Sequence, residues 1–467
     1  MDRSTSVLVT LVVYNALLIG VGLWARNRNR DVQDFFLAGR GLGAWVAAIS
    51  ASASSSSAWT LLGVSGAAYA WGLPALWIFP STVGGFLLNW IWVAPRLRKL
   101  AAAEQAVTLS EVVAPPQIGS LRRVVLRVAA LIIVFCFTFY IASQFEAAGK
   151  AFESVFDLSK QTSILIGATI VLAYTLLGGF WAVSVTDSVQ GLLMAVAALV
   201  LPVAALAGVG GIGALFAGLD AMGDAGSPVV AGGLVTVSFV LGLMGIGIGY
   251  PGQPHVVNRF MALRDDDALR QGRVIAIAWA VLVYAGMLLL GLCSRVLFAD
   301  LGDSEQVLFR AATDLLPSVI AGVMLAAVLS AIMSTADSQL LVAASAISYD
   351  WNLVDRKDSA SLAGTRRTVV AVLIMATMLA LIWRADLFSR VLVAWSAAGS
   401  AFGPLLLLRL VGRDISAGAT LTAMLAGFSL TVMISFFPDL PGDSAERLLP
   451  FVVAIAVAAA GSRKKIA

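Results

Sequence analysis

The sequence predicts an all-α polytopic membrane protein, and three observations support that fold class. Of the 467 residues, 60% are apolar and only 12% are charged, whereas a soluble globular domain is nearer half apolar and a quarter charged. The shortage of charge extends along the whole chain and is not confined to one anchor segment. Apolar runs of about 20 residues, each long enough to cross a bilayer, recur throughout. These observations exclude a soluble enzyme and a disordered chain.

About thirteen membrane-spanning helices are predicted from these apolar runs. None of the runs shows the alternating pattern of a membrane β-barrel, so a helix is the only element that satisfies its backbone in lipid. The predicted spans are centred near residues 15, 55, 85, 135, 169, 197, 243, 282, 333, 376, 398, 426 and 454.

The distribution of Lys and Arg predicts the orientation of the chain. With the amino terminus outside, 22 of the 31 basic residues fall on the cytoplasmic side and eight fall outside, as the positive-inside rule requires. We therefore expect a multi-pass protein of the cell inner (plasma) membrane, with the N-terminus outside and the C-terminus cytoplasmic. The basic clusters are explained by topology, so no nucleic-acid partner is expected.

Cysteine and histidine usage limits the chemistry that the chain can carry. The two cysteines, Cys136 and Cys293, both lie in apolar runs, which excludes a disulfide framework. The single histidine, His255, argues against a haem or a metal site built from several histidines.

Two spans contain segments that interrupt a helix. The second holds SASASSSSAW, from Ser50 to Trp59, and the seventh holds GIGIGYPGQPH, from Gly245 to His255. Glycines weaken a helix and prolines remove backbone donors. Close packing of small residues explains the first segment alone, and a simple kink explains the second alone. Their occurrence in corresponding positions favours a transporter with inverted repeats and a binding site at the midplane.

This symmetry predicts one transmembrane domain over residues 1–467. Spans two to six and seven to eleven form the two halves of a ten-helix core, residues 39–412. Residues 1–38 form an extra N-terminal helix, and residues 413–467 form two C-terminal helices.

The ninth span carries a third polar segment, LSAIMSTADSQLL, from Leu329 to Leu341. Ser334, Asp337 and Ser338 share one helical face at positions i, i+3 and i+4, and Thr335 flanks them. A carboxylate inside a spanning helix is a functional hypothesis by default. Carboxylate, hydroxyl and freed carbonyl oxygens suit a hard cation, and a lone Asp among neutral oxygens favours sodium over a divalent ion.

Two further carboxylates lie at or near membrane depth. Asp187 lies near the inner start of the sixth span, where its alternative role is a helix N-cap. Glu146 is expected to reach the outer interface. No Lys or Arg is expected within a span near Asp187 or Asp337, so a second sodium ion is the predicted partner of these two carboxylates.

Four segments resemble the sodium/solute symporter family, and most closely its bacterial sodium/proline symporter branch. They are AAISASASSSSAWTLLGVSGAAYAWGL, TLLGGFWAVSVTDSVQGLLMA, GYPGQPHVVNRFMA and LSAIMSTADSQLLVAASAISYD. The likeness runs in register from about Gly39 to Asp350. It implies a LeuT-type 5+5 inverted-repeat core and sodium-coupled uptake by alternating access.

The resemblance also implies roles for individual residues. The first sodium site carries over to the backbone carbonyls of Ala53 and Ser56, to Ala331, and to the hydroxyls of Ser334 and Thr335. A second sodium site, found in some members, carries over to Asp187, Ser334, Asp337 and Ser338. The residues that face substrate are expected to be Trp59, Tyr140, Ile246, Tyr250, Gln253 and Pro254.

The chain departs from the proline branch at three of these motif positions. It has Ser55 where the branch has an aspartate, Ile246 where it has a tryptophan, and Pro251 where it has a phenylalanine.

The predicted function is therefore a sodium-coupled symporter that imports a small solute, most simply an amino acid such as proline. Its partners would be the solute, sodium ions and the bilayer. The alternatives are a sugar acid or another carboxylate as substrate, a transporter-like sensor, a channel, and an intramembrane protease. The protease alternative would use Ser65, in a GxSG pattern, with His255 as its base, or Asp187 and Asp337 as a dyad. No enzymatic activity is expected.

Overall fold

The computed structural model describes residues 3–25, 36–115, 119–156, 158–223, 233–351, 362–382, 387–439 and 441–464. Nearly all of this part of the chain is helical, which confirms the predicted all-α fold class. The helices are α1 (Arg3–Ala25), α2 (Ala44–Ser55), α3 (Val64–Trp71), α4 (Leu73–Ala103), α5 (Leu109–Val113), α6 (Ser120–Phe156), α7 (Lys160–Val209), α8 (Ile212–Met222), α9 (Gly233–Ile248), α10 (Pro254–Met261), α11 (Asp266–Leu297), α12 (Val307–Leu315), α13 (Ser318–Ser345), α14 (Leu362–Ile382), α15 (Leu387–Leu410), α16 (Ala417–Ile434) and α17 (Ser444–Ala460).

Each of the thirteen predicted span centres lies in one of these helices. Among the described residues, nine helices are long and apolar enough to cross a membrane by themselves. The remaining predicted spans are shorter, interrupted or partly outside the described residues. The count of thirteen therefore stays a prediction.

The helices α13 and α15 lie at the centre of the molecule. In the most apolar part of each, 83% of the residues are buried, compared with 28% in α16. The N-terminal helix α1 packs against α7 and α13, where the Tyr14 hydroxyl lies 2.5 Å from the Ser330 hydroxyl. Polar residues of α13 therefore face protein on every side, as a carboxylate at this depth requires.

Both predicted interruptions are present. The helix α2 ends at Ser55, and Ser56 has non-helical backbone angles of φ −115° and ψ 67°. A π-helical turn, Trp59–Gly63, leads into α3. In the other half, α9 ends at Ile248, a 3-10 turn covers Tyr250–Gly252, and α10 begins at Pro254. The helix α10 packs on α2, so the two breaks lie in one region of the interior.

Two smaller features complete the fold. The long helix α7 kinks at Gly179, where φ is +60°, a conformation that glycine adopts without steric cost. Two short strands, Arg413–Ile415 and Ser462–Lys464, pair antiparallel with Arg413 opposite Lys464. These strands link the ends of α15 and α17, and a separate β-bridge pairs Leu42 with Leu263.

Candidate ion and substrate site

The predicted ligands of the first sodium site meet where α13 passes the end of α2. The Ser334 hydroxyl donates to the Ala53 carbonyl at 3.3 Å and lies 3.4 Å from the Ala331 carbonyl of its own helix. The Thr335 hydroxyl donates to the Ser54 carbonyl at 3.1 Å. All five residues are buried. The structure therefore brings together four of the five predicted ligands, Ala53, Ala331, Ser334 and Thr335.

The break in α2 explains why these oxygens face one another. A helix leaves its last four carbonyls without intrahelical partners, and its carboxyl end carries a partial negative charge. Ser56, the fifth predicted ligand, lies at this end, and its backbone N–H donates to Ala53 at 3.1 Å. Neutral carbonyl and hydroxyl oxygens at the negative end of a helix are suited to a monovalent hard cation.

The second predicted sodium site contains an arginine. The Arg259 guanidinium donates from Nη2 to Asp187 Oδ2 at 3.0 Å and to the Ser338 hydroxyl at 2.5 Å. The Ser50 hydroxyl donates to the same Asp187 oxygen at 2.7 Å and accepts from Arg259 Nε at 3.1 Å. The Arg259 and Asp187 side chains are both 0% exposed. The expectation that no Lys or Arg lies near Asp187 is therefore wrong.

The reason for the error is the path of the chain after the second interruption. In the sequence Arg259 stands close to the basic residues Arg264, Arg270 and Arg273, a pattern that predicts a cytoplasmic loop. In the structure it belongs to α10, in which every residue is buried. Asp187 lies well inside α7, so the alternative of a helix N-cap is also wrong. Asp337 lies within electrostatic range of the same guanidinium. The prediction of a second sodium ion depended on two carboxylates that have no protein cation nearby. Arg259 is such a cation, so that prediction loses its basis.

Glu146 has a structural role at the opposite end of the core. It is buried, and its carboxylate accepts from Lys160 at 2.6 Å and from Arg390. These ion pairs join α6, α7 and α15. The structure contains no membrane boundary, so the expectation that Glu146 reaches the outer interface stays a prediction.

The predicted substrate residues form one aromatic cluster around the two breaks. The Tyr250 ring packs edge-on against Trp395 with centroids 4.7 Å apart. The Trp59 ring lies 5.4 Å from Phe388. The Tyr140 hydroxyl donates to the Ser57 hydroxyl at 3.2 Å. Trp59, Tyr140 and Tyr250 are at most 4% exposed, so these three side chains are shielded from solvent.

The remaining predicted substrate residues lie in the second break. The Ile246 carbonyl accepts from the Trp395 indole at 3.0 Å, and Gln253 donates to the Trp395 carbonyl at 2.9 Å. Pro254 is buried at the start of α10. Ser55, which replaces an aspartate of the proline branch, donates its hydroxyl to the Ser52 carbonyl of its own helix at 3.0 Å.

Several site residues were missed by sequence reasoning. Tyr284 lies within hydrogen-bonding distance of three hydroxyls at the breaks, and Gln144 accepts from the Ala58 backbone N–H at 3.0 Å. A polar side chain in an otherwise apolar span was the available signal for both. Trp395 and Phe388 gave no such signal, because aromatic residues are common in any membrane helix.

The residues named for the protease alternative make contacts that are typical of helix packing. Ser65 donates to the Leu61 carbonyl of its own helix at 2.6 Å. The His255 ring packs against Phe137 and Tyr140, with centroids 5.2 Å and 6.3 Å away. The Asp187 carboxylate is bound to Arg259 and is not available as half of an aspartyl dyad.

Comparison of the chain with known proteins identifies its family. The profile of the sodium:solute symporter family matches residues 35–427. The chain belongs to this family. It is 35% identical over 442 residues to the osmoregulated proline transporter OpuE of Bacillus subtilis (strain 168), a match that covers 92% of this chain and 89% of the relative. It is also 35% identical over 452 residues to the sodium/proline symporter of Escherichia coli (strain K12), covering 93% and 88%.

Solved structures confirm the LeuT-type fold. A Na⁺-coupled sialic acid symporter in a substrate-bound outward-open state aligns with a TM-score of 0.82 at 17% identity, covering 99% of this chain and all of that one. MhsT in complex with L-phenylalanine aligns with a TM-score of 0.55 at 13% identity, covering 89% and 98%. The family resemblance drawn from the four motifs is confirmed, and with it sodium as the coupling ion of a membrane symporter. The curated relatives are transporters, which supports the expectation that the protein is not an enzyme.

Proposed function

We propose that the protein imports proline together with one sodium ion. The observation that carries this proposal is a set of buried polar atoms around the aromatic cluster that make no hydrogen bond within the described residues. Two are donors, Trp59 Nε1 and Gln144 Nε2, and two are acceptors, Gln253 Oε1 and Asn89 Oδ1. An unsatisfied buried polar group costs free energy. A zwitterion supplies a carboxylate for the donors and an ammonium for the acceptors.

The aromatic residues favour a substrate that has a small apolar ring, such as that of proline, beside its carboxylate and ammonium groups. Tyr140 is bonded to Ser57 beside Trp59 in the first break, and Tyr250 lies in the 3-10 turn of the second. Trp395 lies beside Ile246, the position where the proline branch has a tryptophan. The Trp395 indole is bonded to the Ile246 carbonyl and packs on Tyr250. We propose that Trp395 provides the aromatic surface that the missing tryptophan gives the proline branch.

Charge balance supports a single sodium ion. Asp187, Asp337 and Arg259 together carry one net negative charge in the core. One sodium ion bound by Ser334 and Thr335, on the same helix as Asp337, balances that charge. A second ion between Asp187 and Ser338 would compete with the Arg259 guanidinium, which already lies within 3.0 Å of both residues.

The proposal includes an orientation. Membership of the family implies the plasma membrane. From the distribution of basic residues we propose that the amino terminus is outside and the carboxyl terminus is in the cytoplasm. The end of the core that holds Lys150 and Glu305 is then extracellular. Solute would enter from this end, past the ion pair of Lys150 and Glu305.

Uptake into proteoliposomes tests the proposal. We expect purified full-length protein to accumulate labelled proline only when sodium is present outside. The reversal potential of proline-driven charge movement, measured in set sodium gradients, should give one sodium per proline. Excess unlabelled proline should compete fully, and a sugar acid such as sialic acid should not. Uptake of another solute that proline cannot displace would overturn the substrate, and a ratio of two would overturn the stoichiometry.

A further inference from the structure

Tyr284 lies between the candidate sodium site and the candidate substrate site. It projects from α11 into the interior and is 0% exposed. Its hydroxyl lies 3.4 Å from the Ser56 hydroxyl, 3.3 Å from the Thr60 hydroxyl and 3.0 Å from the Tyr250 hydroxyl. Ser56 is a candidate sodium ligand, Thr60 follows Trp59 in the π-helical turn, and Tyr250 is a candidate substrate contact.

We propose that the Tyr284 hydroxyl is the positioning group through which sodium binding raises the affinity for substrate. This inference rests on the proposed function, because it concerns how the two sites of that function communicate. Tyr284 is neither a candidate sodium ligand nor a candidate substrate contact. It acts on residues that are, and its effect is on the coupling between the sites and not on either site alone.

The chemistry of a phenol supports this role. A tyrosine hydroxyl has one proton to donate, and it accepts through its oxygen. With three hydroxyl partners, Tyr284 donates to one of them at a time, and the other two bonds require those partners to donate. The arrangement of protons among Ser56, Thr60 and Tyr250 is therefore linked through one atom. Fixing the orientation of one partner biases the other two.

The backbone geometry indicates which partner sodium fixes. Ser56 has non-helical backbone angles at the free end of α2, so intrahelical hydrogen bonds restrain it weakly. A sodium ion bound to its carbonyl holds the residue in one orientation. The Ser56 hydroxyl is then held toward Tyr284, and the remaining bonds of Tyr284 orient Thr60 and Tyr250. Substrate meets a site that is already ordered, which is positive coupling.

The test is the sodium dependence of substrate affinity in Tyr284→Phe, which removes only the hydroxyl. Proline affinity of the purified full-length protein is measured in saturating NaCl and in choline chloride of equal ionic strength, and the ratio of the two affinities is the coupling factor. We expect the coupling factor of Tyr284→Phe to be about fivefold smaller than that of the wild type, because one hydrogen bond contributes about that much. Tyr69→Phe is the matched control, since the Tyr69 hydroxyl donates to the Phe298 carbonyl, away from both sites.

Each outcome decides a separate question. If the wild type shows sodium-dependent proline binding and Tyr284→Phe keeps the wild-type coupling factor, the role of Tyr284 is overturned and the proposed function stands. An equal loss of affinity with and without sodium shows a purely structural role, and it also overturns the inference. If the wild type binds proline with no dependence on sodium, the proposed function fails first. Thr60→Val removes one partner of the same phenol, and it should reduce the coupling factor even if Tyr284→Phe does not fold.

Discussion

The guanidinium of Arg259 lies 3.0 Å from the carboxylate of Asp187, and neither side chain has any exposed surface. The two residues are 72 positions apart and belong to different halves of the predicted repeat. Their pairing neutralises a carboxylate that would otherwise need an external cation at membrane depth. It also links α7 to α10, the helix that begins at the second interruption.

This pairing predicts a non-additive effect on stability. Asp187→Asn and Arg259→Gln each leave one buried charge without its partner, which costs about 3–5 kcal/mol. The double variant removes both charges, so we expect it to be clearly more stable than either single variant. Thermal unfolding of detergent-purified protein, followed by size-exclusion chromatography, measures the three shifts. Losses in the double variant that equal the sum of the single losses would show that the two charges do not interact.

The hydroxyls of α13 lead to a prediction about sodium affinity. Ser334→Ala and Thr335→Ala each remove an oxygen from a site that has few ligands. We expect the sodium concentration for half-maximal proline uptake to rise about tenfold in each, which corresponds to about 1.4 kcal/mol. Ser345→Ala is the matched control, since this hydroxyl lies on the same helix and donates to the Val342 carbonyl of its own turn. Unchanged sodium dependence in both site variants would place the first sodium site elsewhere.

The architecture could be predicted from the sequence because its signals are local. The SASASSSSAW and GIGIGYPGQPH segments weaken a helix wherever they occur, so both breaks follow from the residues themselves. The polar face of Ser334 and Asp337 follows from helical periodicity alone. These features need no knowledge of which helix neighbours which.

Pairings between distant residues could not be predicted in the same way. Arg259 lies beyond a proline and close to several other basic residues, so by composition it resembles the start of a cytoplasmic loop. Only the inward direction of α10 shows that it reaches Asp187. Trp395 similarly adjoins Ile246 through a contact that spans 149 positions. Such contacts depend on how helices pack, which hydrophobic patterning does not specify.

Trp395 leads to a prediction about substrate. Trp395→Phe removes the indole N–H that bonds to Ile246 and reduces the aromatic surface against Tyr250. We expect proline affinity to fall about tenfold, because one hydrogen bond and part of one aromatic contact are lost, while the sodium dependence of binding is retained. Trp279→Phe is the matched control, because its indole also donates to a backbone carbonyl, that of Gly191, at 2.9 Å. Equal effects of the two variants would show a loss of packing and no specific role for Trp395.

A buried carboxylate, that of Glu305, lies at the end of the core that we propose to be extracellular. Glu305 accepts from the Lys150 ammonium at 2.6 Å and from the Phe388 backbone N–H at 2.9 Å. The Phe388 ring packs on Trp59 and Trp71 with centroids 5.4 Å and 5.3 Å away. The carboxylate thus connects α6 to the first turn of α15 and holds an aromatic ring over the candidate substrate cluster.

Glu305→Gln should therefore make this end open more often. An amide cannot form the charge-assisted bond to Lys150, and its NH₂ group competes for the position that faces the Phe388 N–H.

A cysteine at position 58, next to Trp59, reports opening through its reaction with a membrane-impermeant thiol reagent added outside intact cells. The native cysteines are buried and give a low background. We expect labelling to be several-fold faster in Glu305→Gln than in Asp303→Asn, which also loses charge beside Lys150 but leaves the bond to Phe388 in place. Equal rates in the two variants would show that the bond to Phe388 does not control closure, and labelling only from the cytoplasmic side would reverse the proposed orientation.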